Sequence, residues 1–289
     1  MEVHSMGSNT ALRVDRLSTL RQDDFTFFSE KIKELAGITL KATKNDLLKT
    51  RIRSRLSELG LSSYREYREY LSSLPPEHEE WQKFINLLTT NKTGFFREPK
   101  HFEFIVSTFL PEWLKKDEKT LKIWSAACSS GEEAYTLAMV LNKHLPSDRS
   151  YKILATDIDT EVIKRGSNAV YPKEALHDIP QVYHSTSIDL GRGEASGWFR
   201  IKPQLKEKVV FKQHNLIEMT SPGPEVFDII LCRNVFIYFS PASIELVVRK
   251  LHYSAKPGGY LMIGHSESLQ GIAHEWELMA PSTLRKGMR

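Results

Sequence analysis

The feature that most constrains this chain is an alternation of short apolar segments with helical ones that begins near residue 100. Each apolar segment has the length of a strand and is separated from the next by a longer segment of helical character, such as the one that begins near Thr160. This alternation favours a parallel sheet covered by helices on both faces. We therefore predict an α/β, Rossmann-like doubly wound fold. The predicted strands are LKIWSAA (121–127), YKILATDID (151–159), VFDIILCRN (226–234) and the apolar part of PGGYLMIG (257–264).

The first ninety residues have helical periodicity only. Apolar residues recur at helical spacing, Gly37 is a predicted helix stop, and Ser63 is a predicted N-cap. We predict an all-α N-terminal domain over residues 1–90 and a second domain over 91–289. In the second domain, the β-type fragments GWFRI and KVVF interrupt the alternation, so a small β insertion is predicted at about 177–212.

Composition argues against several classes of protein. Hydrophobic residues make up 40% of the 289 residues and charged residues 26%, so a packed core is expected. No run of about 18 apolar residues is present and the N-terminus has no apolar core, so neither a membrane span nor a secretory signal is predicted. Two cysteines, and ten histidines without an HExxH spacing, support neither a disulfide framework nor a metal site. We expect a cytoplasmic monomer without a metal, and a net charge of +4 is too small to indicate nucleic acid as a partner.

Polar residues follow three of the predicted strands, in a fold whose ligands bind outside the carboxyl ends of the strands. The three places are SAACSSGEEAYTLA (125–138), Asp157 in ATDID, and CRNVFIYF (232–239). An acid at the end of the second strand can accept hydrogen bonds from both hydroxyls of a ribose. Each place alone also fits an ordinary strand-to-helix turn, but together they predict a nucleoside-containing cofactor.

The first of these loops discriminates between cofactors. Its only glycine is Gly131, and the GxGxxG spacing of dinucleotide-binding loops is absent, so NAD is a poor candidate. S-adenosylmethionine (SAM) has no pyrophosphate, and its ammonium and sulfonium groups favour a nearby acid such as Glu132. The segment AKPGGYLMIG (255–264) is also typical of class I SAM-dependent methyltransferases.

With these segments together, the chain resembles the CheR family of chemotaxis receptor methyltransferases from about residue 20 to residue 285. Two of the segments that carry the resemblance, LTTNKTGFFRE and FDIILCRNVFIYF, are the more specific, because few other methyltransferases place TTN-x-T-x-FFRE ahead of the first strand. The resemblance is carried by LTTNKTGFFRE (88–98), WSAACSSGEEAY (124–135), ATDIDTEV (155–162), FDIILCRNVFIYF (227–239) and GGYLMIGHSES (258–268).

The resemblance implies a class I SAM-dependent methyltransferase domain with a small β-subdomain, preceded by an all-α domain. It implies transfer of the methyl group of SAM to glutamate side chains on the cytoplasmic helical bundle of methyl-accepting chemotaxis receptors, with S-adenosylhomocysteine as the other product. Arg97 and Tyr238 would be the catalytic residues closest to the methyl group, and Asp157 would bind the ribose. By the same resemblance, the residues lining the cofactor would be Asn91, Thr93, Arg97, Glu132, Asp157, Asn215, Leu216, Arg233 and Asn234.

The sequence departs from the family pattern in two places. Many members have Gly-Glu-Glu-Pro-Tyr where this chain has Ala134, a change that we expect to alter the entry into the helix more than the chemistry. The segment LGRGEASGWF (190–199) matches poorly. Whether the β-subdomain binds a C-terminal receptor pentapeptide, as it does in some members, is therefore left open.

The implied reaction needs no general base, because a glutamate with an ordinary pKa of about 4.3 is already ionised at pH 7. The remaining task is to align the acceptor oxygen, the methyl carbon and the sulfur. Arg97 would position a carboxylate, and the alternative is an ordinary surface arginine. Tyr238 would donate one hydrogen bond, and the alternative is a tyrosine of the core. For Asp159, a role as the cap of the following helix is as good an interpretation as a functional role. His265 is assigned no role.

Residues 41–55 carry six basic side chains against one acid. Lys44, Arg51 and Arg55 share one face of the predicted helix, roughly opposite its apolar stripe. One interpretation is a solvated face, and the other is a surface that docks the Glu-rich methylation helices of receptors. Charge reversal at Arg51 and Arg55 would separate the two through the KM for receptor.

Two other functions fit parts of the sequence. A nucleic-acid methyltransferase would use the same sheet, but the Asn/Asp-Pro-Pro-aromatic motif of amino-methylating enzymes is replaced here by CRNVFIYF. A SAM-binding regulatory module without turnover is the third possibility, and Arg97 and Tyr238 argue against it. A turnover assay distinguishes it from an enzyme.

Overall fold

The computed structural model describes residues 19–40, 45–218 and 222–288. It divides the chain into two structural units, the first ending at Thr89 and the second beginning at Thr90. Lys44, one of the predicted docking residues, lies outside the described residues. Within the described ranges, none of the helices has the combination of length and apolarity needed to cross a membrane.

The described part of the first unit consists of helices α1 (Gln22–Ala36), α2 (Asn45–Leu59), α3 (Tyr64–Ser73) and α4 (Glu79–Leu88). Both predicted helix signals are confirmed. Gly37 ends α1 with a left-handed φ of 71°, and the Ser63 hydroxyl accepts the Glu66 N–H at the start of α3. Phe28 and Ile52, from the predicted apolar stripes, are fully buried in the core of this unit.

A buried ion pair fixes α2 against α4. Glu80 is 2% exposed and accepts hydrogen bonds from Arg55 Nε at 2.9 Å and from the Tyr67 hydroxyl at 2.9 Å. Arg51 Nη1 donates to the backbone oxygen of Thr89 at 2.5 Å. Arg51 and Arg55 are therefore not a freely solvated face, because both side chains bind acceptors within their own unit. Their part in receptor docking stays a prediction. The helix pattern gives the face of α2 but not the acid that α4 places opposite it.

We expect Glu80→Ala to lower the free energy of unfolding of the first unit by about 3–5 kcal/mol, because it leaves the Arg55 guanidinium without its buried partner. Denaturant unfolding followed by circular dichroism measures this loss. Glu79→Ala is the matched control: the Glu79 side chain is 75% exposed, and its removal should change the unfolding midpoint little. Equal midpoints for the two variants would contradict a stabilising role for the buried pair.

The described part of the second unit is an α/β structure around a seven-stranded sheet with the order β6-β2-β1-β7-β8-β10-β9. The strands are β1 (Thr120–Ser125), β2 (Ser150–Asp157), β3 (Val170–Pro172), β4 (Ile188–Leu190), β5 (Trp198–Ile201), β6 (Val209–Gln213), β7 (Phe227–Cys232), β8 (Ala255–Ile263), β9 (Trp276–Ala280) and β10 (Thr283–Lys286). The helices are α5 (Lys100–Phe104), which continues through a π-helical turn (Ile105–Phe109) into α6 (Leu110–Trp113), α7 (Glu132–His144), α8 (Thr160–Asn168), α9 (His184–Ser187), α10 (Pro203–Lys206) and α11 (Pro241–Ser254).

The predicted doubly wound fold is confirmed. Strands β6, β2, β1, β7 and β8 are parallel, and β10 pairs antiparallel with both β8 and β9. Every residue of β7 is buried, as expected for a central strand covered on both faces. The chain proceeds from β1 towards β6 on one side and from β7 towards β8 on the other. The strand order therefore reverses between β1 and β7, which is where such sheets bind ligands.

The crossover from β2 to β6 contains a separate small sheet with the order β3-β5-β4. Its strands begin at Val170, before the predicted insertion of about 177–212. The KVVF fragment at the end of that insertion forms β6 instead, paired in parallel with β2 at the edge of the main sheet. The alternation rule missed β6 because no long helix precedes it. Phe211 on this strand packs against α8, where a Cβ added to Gly166 would lie 2.4 Å from the ring.

Candidate cofactor and active site

The loop after β1 leads into α7 through two residues with left-handed backbone. Ser129 has a φ of 48° and Gly131 a φ of 94°. A Cβ at Gly131 would lie 2.8 Å from Cζ of Phe211, so glycine is required both by φ and by packing. The backbone N–H of Cys128 donates to the Thr156 oxygen at 2.9 Å, which ties this loop to the end of β2.

Asp157 is the acid at the end of β2, and its carboxylate organises the neighbouring backbone. It accepts the Ser129 N–H at 2.8 Å and the Asp159 N–H at 3.0 Å. Asp157 is 8% exposed, and burial raises its pKa to about 6, while these two amide hydrogen bonds oppose the shift. Asp159 accepts the Glu161 and Val162 N–H groups as the N-cap of α8, so its capping interpretation is confirmed.

The TTN-x-T-x-FFRE segment lies against the loops that follow β1 and β2. The Ser129 hydroxyl donates to the Asn91 backbone oxygen at 2.9 Å, and the Asn91 amide donates to Asp159 at 2.6 Å. Thr93, on the same segment, is half-buried. Arg97 is exposed, and its Nη1 donates to the Lys92 oxygen at 2.8 Å, which closes the loop on itself.

Glu132, at the first position of α7, is a half-buried acid beside this loop. The Ser130 hydroxyl donates to its carboxylate at 2.8 Å. Burial raises the pKa of Glu132, and the hydrogen bond from Ser130 opposes that effect. A positively charged ligand group beside this carboxylate would relieve the cost of its desolvation.

Arg233, at the end of β7, is a buried cation surrounded by protein acceptors. Its side chain is 3% exposed, Nη2 donates to Glu98 at 2.9 Å and Nη1 donates to Glu133 at 2.9 Å. Nη2 also donates to the backbone oxygen of Arg97. The structure therefore gives this predicted cofactor residue a structural role, because its guanidinium connects the Arg97 loop, α7 and the end of β7.

Asn234 follows with a left-handed φ of 59° and is held by two acids, Glu98 and Glu267. Its side-chain amide donates to Glu98 at 3.1 Å, and its backbone N–H donates to Glu267 at 2.9 Å. Although burial acts to raise it, hydrogen bonds from Asn234 and Arg233 hold the pKa of Glu98 below its ordinary value. A short helical turn (Phe236–Tyr238) comes next, and Tyr238 at its end is half-buried.

The remaining predicted residues follow β6. Asn215 Oδ1 accepts the Ile217 N–H at 3.3 Å and so stabilises the turn after the strand. Leu216 is 8% exposed and packs in the core cluster that contains Trp124 and Phe227. The backbone N–H of His214 donates to the Asp157 oxygen at 2.9 Å, which places this turn beside the end of β2.

The site therefore contains two connected groups of predicted residues. Asn91 and Asp157 are joined through Ser129 and Asp159, whereas Arg97, Arg233 and Asn234 are joined through Glu98. Sequence reasoning missed Glu98, Glu133 and Glu267, although all three stand inside the segments that carry the family resemblance. A charged residue in an otherwise apolar or small-residue motif is the signal that would have pointed to them.

Glu98, His101 and His265 bring possible ligand atoms within 4.8 Å of one another. His101 is 1% exposed, and burial, together with the neighbouring Arg233 and His265, lowers its pKa to about 4. A cation at this place would meet the same repulsion from Arg233, and the oxygens of Glu98 already accept hydrogen bonds from Arg233 and Asn234. We assign no metal to the cluster for this reason.

Two family models match the chain. The model described as CheR methyltransferase, SAM binding domain, covers residues 91–284, and the model described as CheR methyltransferase, all-alpha domain, covers residues 23–89. The chain belongs to the CheR methyltransferase family. It is accordingly a SAM-dependent methyltransferase, and SAM is its cofactor.

Relatives of known name agree with this family. The chemotaxis protein methyltransferase of Klebsiella aerogenes is 36% identical over 94% of this chain and 92% of its own length. That of Escherichia coli is 35% identical over 92% of both, and chemotaxis protein methyltransferase 2 of Pseudomonas aeruginosa is 36% identical over 88% and 89%. A solved SAM-dependent methyltransferase from Methanosarcina mazei aligns at 18% identity over 53% of this chain and 56% of its own, with a TM-score of 0.32, so the assignment rests on the family models and these relatives.

The residues of the CheR site fit SAM in charge and in chemistry. Asp157 provides a carboxylate at the strand end where a ribose is expected, and Glu132 provides a second, partly desolvated carboxylate for a positively charged group. When bound, SAM supplies a methyl group that is made electrophilic by the positive sulfur. We propose that the carboxylates of Asp157 and Glu132 contact the bound cofactor.

We expect the affinity for SAM to depend on the ionisation of Asp157. The ionised carboxylate accepts hydroxyl hydrogen bonds, so affinity should be constant above about pH 7 and fall about tenfold per pH unit below the pKa of about 6. Without SAM, the stability of the folded protein should change with pH in the opposite direction. Because the pKa of Asp157 is higher in the folded state, its contribution to stability is complete at low pH and is lost as the pH rises through about 6. Calorimetric titrations between pH 5 and 8 measure the binding profile.

Asp157→Asn should remove this pH step and weaken SAM binding by about 10- to 100-fold, the loss expected for hydrogen bonds to a charged group. Asp189→Asn is the matched control, because the Asp189 side chain is 39% exposed on β4 and should leave both profile and affinity unchanged. A pH step of the same size in Asp157→Asn would show that another group titrates.

Proposed function

We propose that this CheR family enzyme is a cytoplasmic protein-glutamate O-methyltransferase that acts, as a monomer, on methyl-accepting chemotaxis receptors. Family membership and the names of its relatives support this activity. The structural observation that carries it is the linkage made by Arg233. This residue contacts the backbone of Arg97 and the carboxylate of Glu98, and it precedes Asn234 and the turn that bears Tyr238. The two residues proposed to act on the acceptor therefore belong to one connected framework.

The chain's own residues have to orient the acceptor and exclude water, since the acceptor carboxylate is ionised at neutral pH. The exposed guanidinium of Arg97 would bind a carboxylate by charge-assisted hydrogen bonds. The Tyr238 hydroxyl would donate one hydrogen bond, which orients the acceptor without removing much of its nucleophilicity. A site that only positions its reactants needs no base, and this matches a framework built from arginine, tyrosine and fixed carboxylates.

We expect transfer of label from methyl-labelled SAM to a receptor-sized protein in receptor-bearing membranes. Because glutamyl methyl esters hydrolyse in mild alkali, the label should be released as volatile methanol. Receptors in which the methylation-helix glutamates are replaced by alanine are the control and should remain unlabelled. Alkali-stable label, or label in RNA, would overturn the proposal in favour of another acceptor, and unlabelled receptor in the presence of bound SAM would also contradict it.

We propose further that α2 contacts the receptor through its exposed basic residues. Arg51 and Arg55 bind acceptors within the first unit, and the Arg55 side chain is only 13% exposed. Arg53 is exposed, and the Lys49 side chain, which pairs with Asp46 at 3.5 Å, is 37% exposed. Receptor methylation helices are rich in glutamate, so the sign of charge is complementary, and such complementarity acts mainly on encounter and specificity. The docking proposal is therefore transferred from Arg51 and Arg55 to Arg53 and Lys49.

We expect Arg53→Glu to raise the KM for receptor several-fold, with SAM affinity and the melting temperature unchanged. Steady-state methylation at varied receptor concentration measures this, and the effect should shrink at high salt because screening weakens surface attraction. Arg65→Glu reverses a charge of the same kind on the exposed surface of α3, where the side chain is 63% exposed, and is the control. An identical KM for the two variants would remove α2 from the receptor contact.

A further inference from the structure

Glu267 lies in the GHSES segment after β8 and is a buried carboxylate that accepts hydrogen bonds from backbone amides. It is 9% exposed. One oxygen accepts the Gly264 N–H at 2.6 Å and the Asn234 N–H at 2.9 Å, and the other accepts the Phe236 N–H at 2.8 Å. Within the described residues, no lysine, arginine or histidine forms an ion pair with it. Its negative charge is therefore compensated by backbone dipoles.

This arrangement specifically requires a carboxylate. Three N–H groups converge on one side chain, and only a carboxylate offers two oxygens that both accept. Glutamine would present one oxygen and one NH2 group, and the NH2 group would face an N–H donor. Because an unpaired buried charge or amide is costly, the carboxylate and the three amides fix each other's positions.

The amides belong to the segment that connects β7 to Tyr238. Asn234 holds a left-handed backbone, which is uncommon outside glycine and persists only where its surroundings determine it. Phe236 begins the short helical turn that ends at Tyr238. A Cβ added to Gly264 would lie 2.5 Å from the side-chain Nδ2 of Asn234 and 2.9 Å from its backbone nitrogen, so the ends of β7 and β8 are in close contact here. Glu267 thus joins the two strand ends and sets the course of the chain towards Tyr238.

A second carboxylate holds the same segment from the other direction. Glu98 accepts the side-chain amide of Asn234 at 3.1 Å and the guanidinium of Arg233 at 2.9 Å. Glu98 follows Arg97 directly in the sequence. The segment that leads to Tyr238 is therefore held between Glu267 and the loop that carries Arg97.

We propose that Glu267 is a positioning residue of the methyl transfer, which acts through Tyr238 by fixing the backbone of residues 234–236. This proposal rests on the function proposed above, in which the Tyr238 hydroxyl orients the acceptor glutamate. The proposed role of Glu267 is its hold on the backbone of Asn234 and Phe236 and not a contact with the acceptor. Its effect should consequently appear in the rate of transfer and should depend on the Tyr238 hydroxyl.

A double-mutant comparison tests this dependence. We expect Glu267→Gln to lower kcat by on the order of 10- to 100-fold, the loss expected from a displaced orienting group. The Kd for SAM should change by a smaller factor than kcat, because Asn234 is also a predicted cofactor residue. In a Tyr238→Phe background, the same substitution should lower kcat by less than about twofold. Glu277→Gln, on the exposed part of edge strand β9, is the matched control and should leave kcat unchanged. Full, multiplicative loss in the Tyr238→Phe background would overturn the proposal.

Amide hydrogen exchange is a second test of the role of Glu267, and it does not depend on enzyme turnover. The amides of Asn234 and Phe236, which donate to Glu267, should exchange slowly in the wild type and much faster in Glu267→Gln, with the core of the sheet unchanged. Unchanged exchange in this segment would refute the fixing role. If Glu267→Gln does not fold, Glu267→Asp keeps the charge but shortens the reach by one methylene, and we expect the same direction of change. A wild-type enzyme that labels no receptor would refute the proposed function, and the exchange comparison would then still decide the role of Glu267.

Discussion

The burial of one guanidinium determines how the candidate site is assembled. Arg233 is almost wholly removed from water, and a charge in that position is tolerated only when it is paired and hydrogen-bonded. Its two acids come from Glu98, 135 positions earlier in the chain, and from Glu133, 100 positions earlier. Loss of both acids would leave an uncompensated cation in the interior, and loss of either one would leave part of the guanidinium without its acceptor. Burial of Arg233 therefore requires three segments to pack together: the loop ahead of the first strand, the first turn of α7 and the end of β7.

The same physical device recurs in the first unit. Glu80 is buried on α4 and receives a hydrogen bond from Arg55 on α2 and another from Tyr67 on α3. Each of these acids links elements that are distant in sequence, and each restricts where its partners can lie. Apolar packing alone is less directional, since it rewards burial of area more than a particular geometry. The polar links explain why charged residues inside apolar motifs matter for the structure.

The sequence was sufficient to predict features that depend on local periodicity. Strand ends at Asp157 and Arg233 followed from the apolar strands before them, and helix signals at Gly37 and Ser63 needed only local backbone preferences. Features that depend on a partner from elsewhere in the chain were out of reach. The partner of Arg55 was one, and the position of β6 in the main sheet was another, because both are fixed by the fold. Among the predicted cofactor residues, the strand-end position of Asp157 follows from local pattern, whereas the core neighbours of Leu216 and the acids around Arg233 come from elsewhere in the chain.

The crossover between β2 and β6 has a further consequence for how enzymes of this type can diversify. In most doubly wound sheets a helix makes this connection and its apolar face covers the sheet, so that its sequence is constrained along its whole length. Here the helix α8 also packs against β6, but it is followed by strands β3, β4 and β5, which pair with one another and leave residues such as Leu190 and Trp198 about half exposed. Substitutions on that outer surface leave the hydrogen bonds of the main sheet intact. The subdomain is therefore a place where exposed residues can change while the site at the strand ends keeps its geometry.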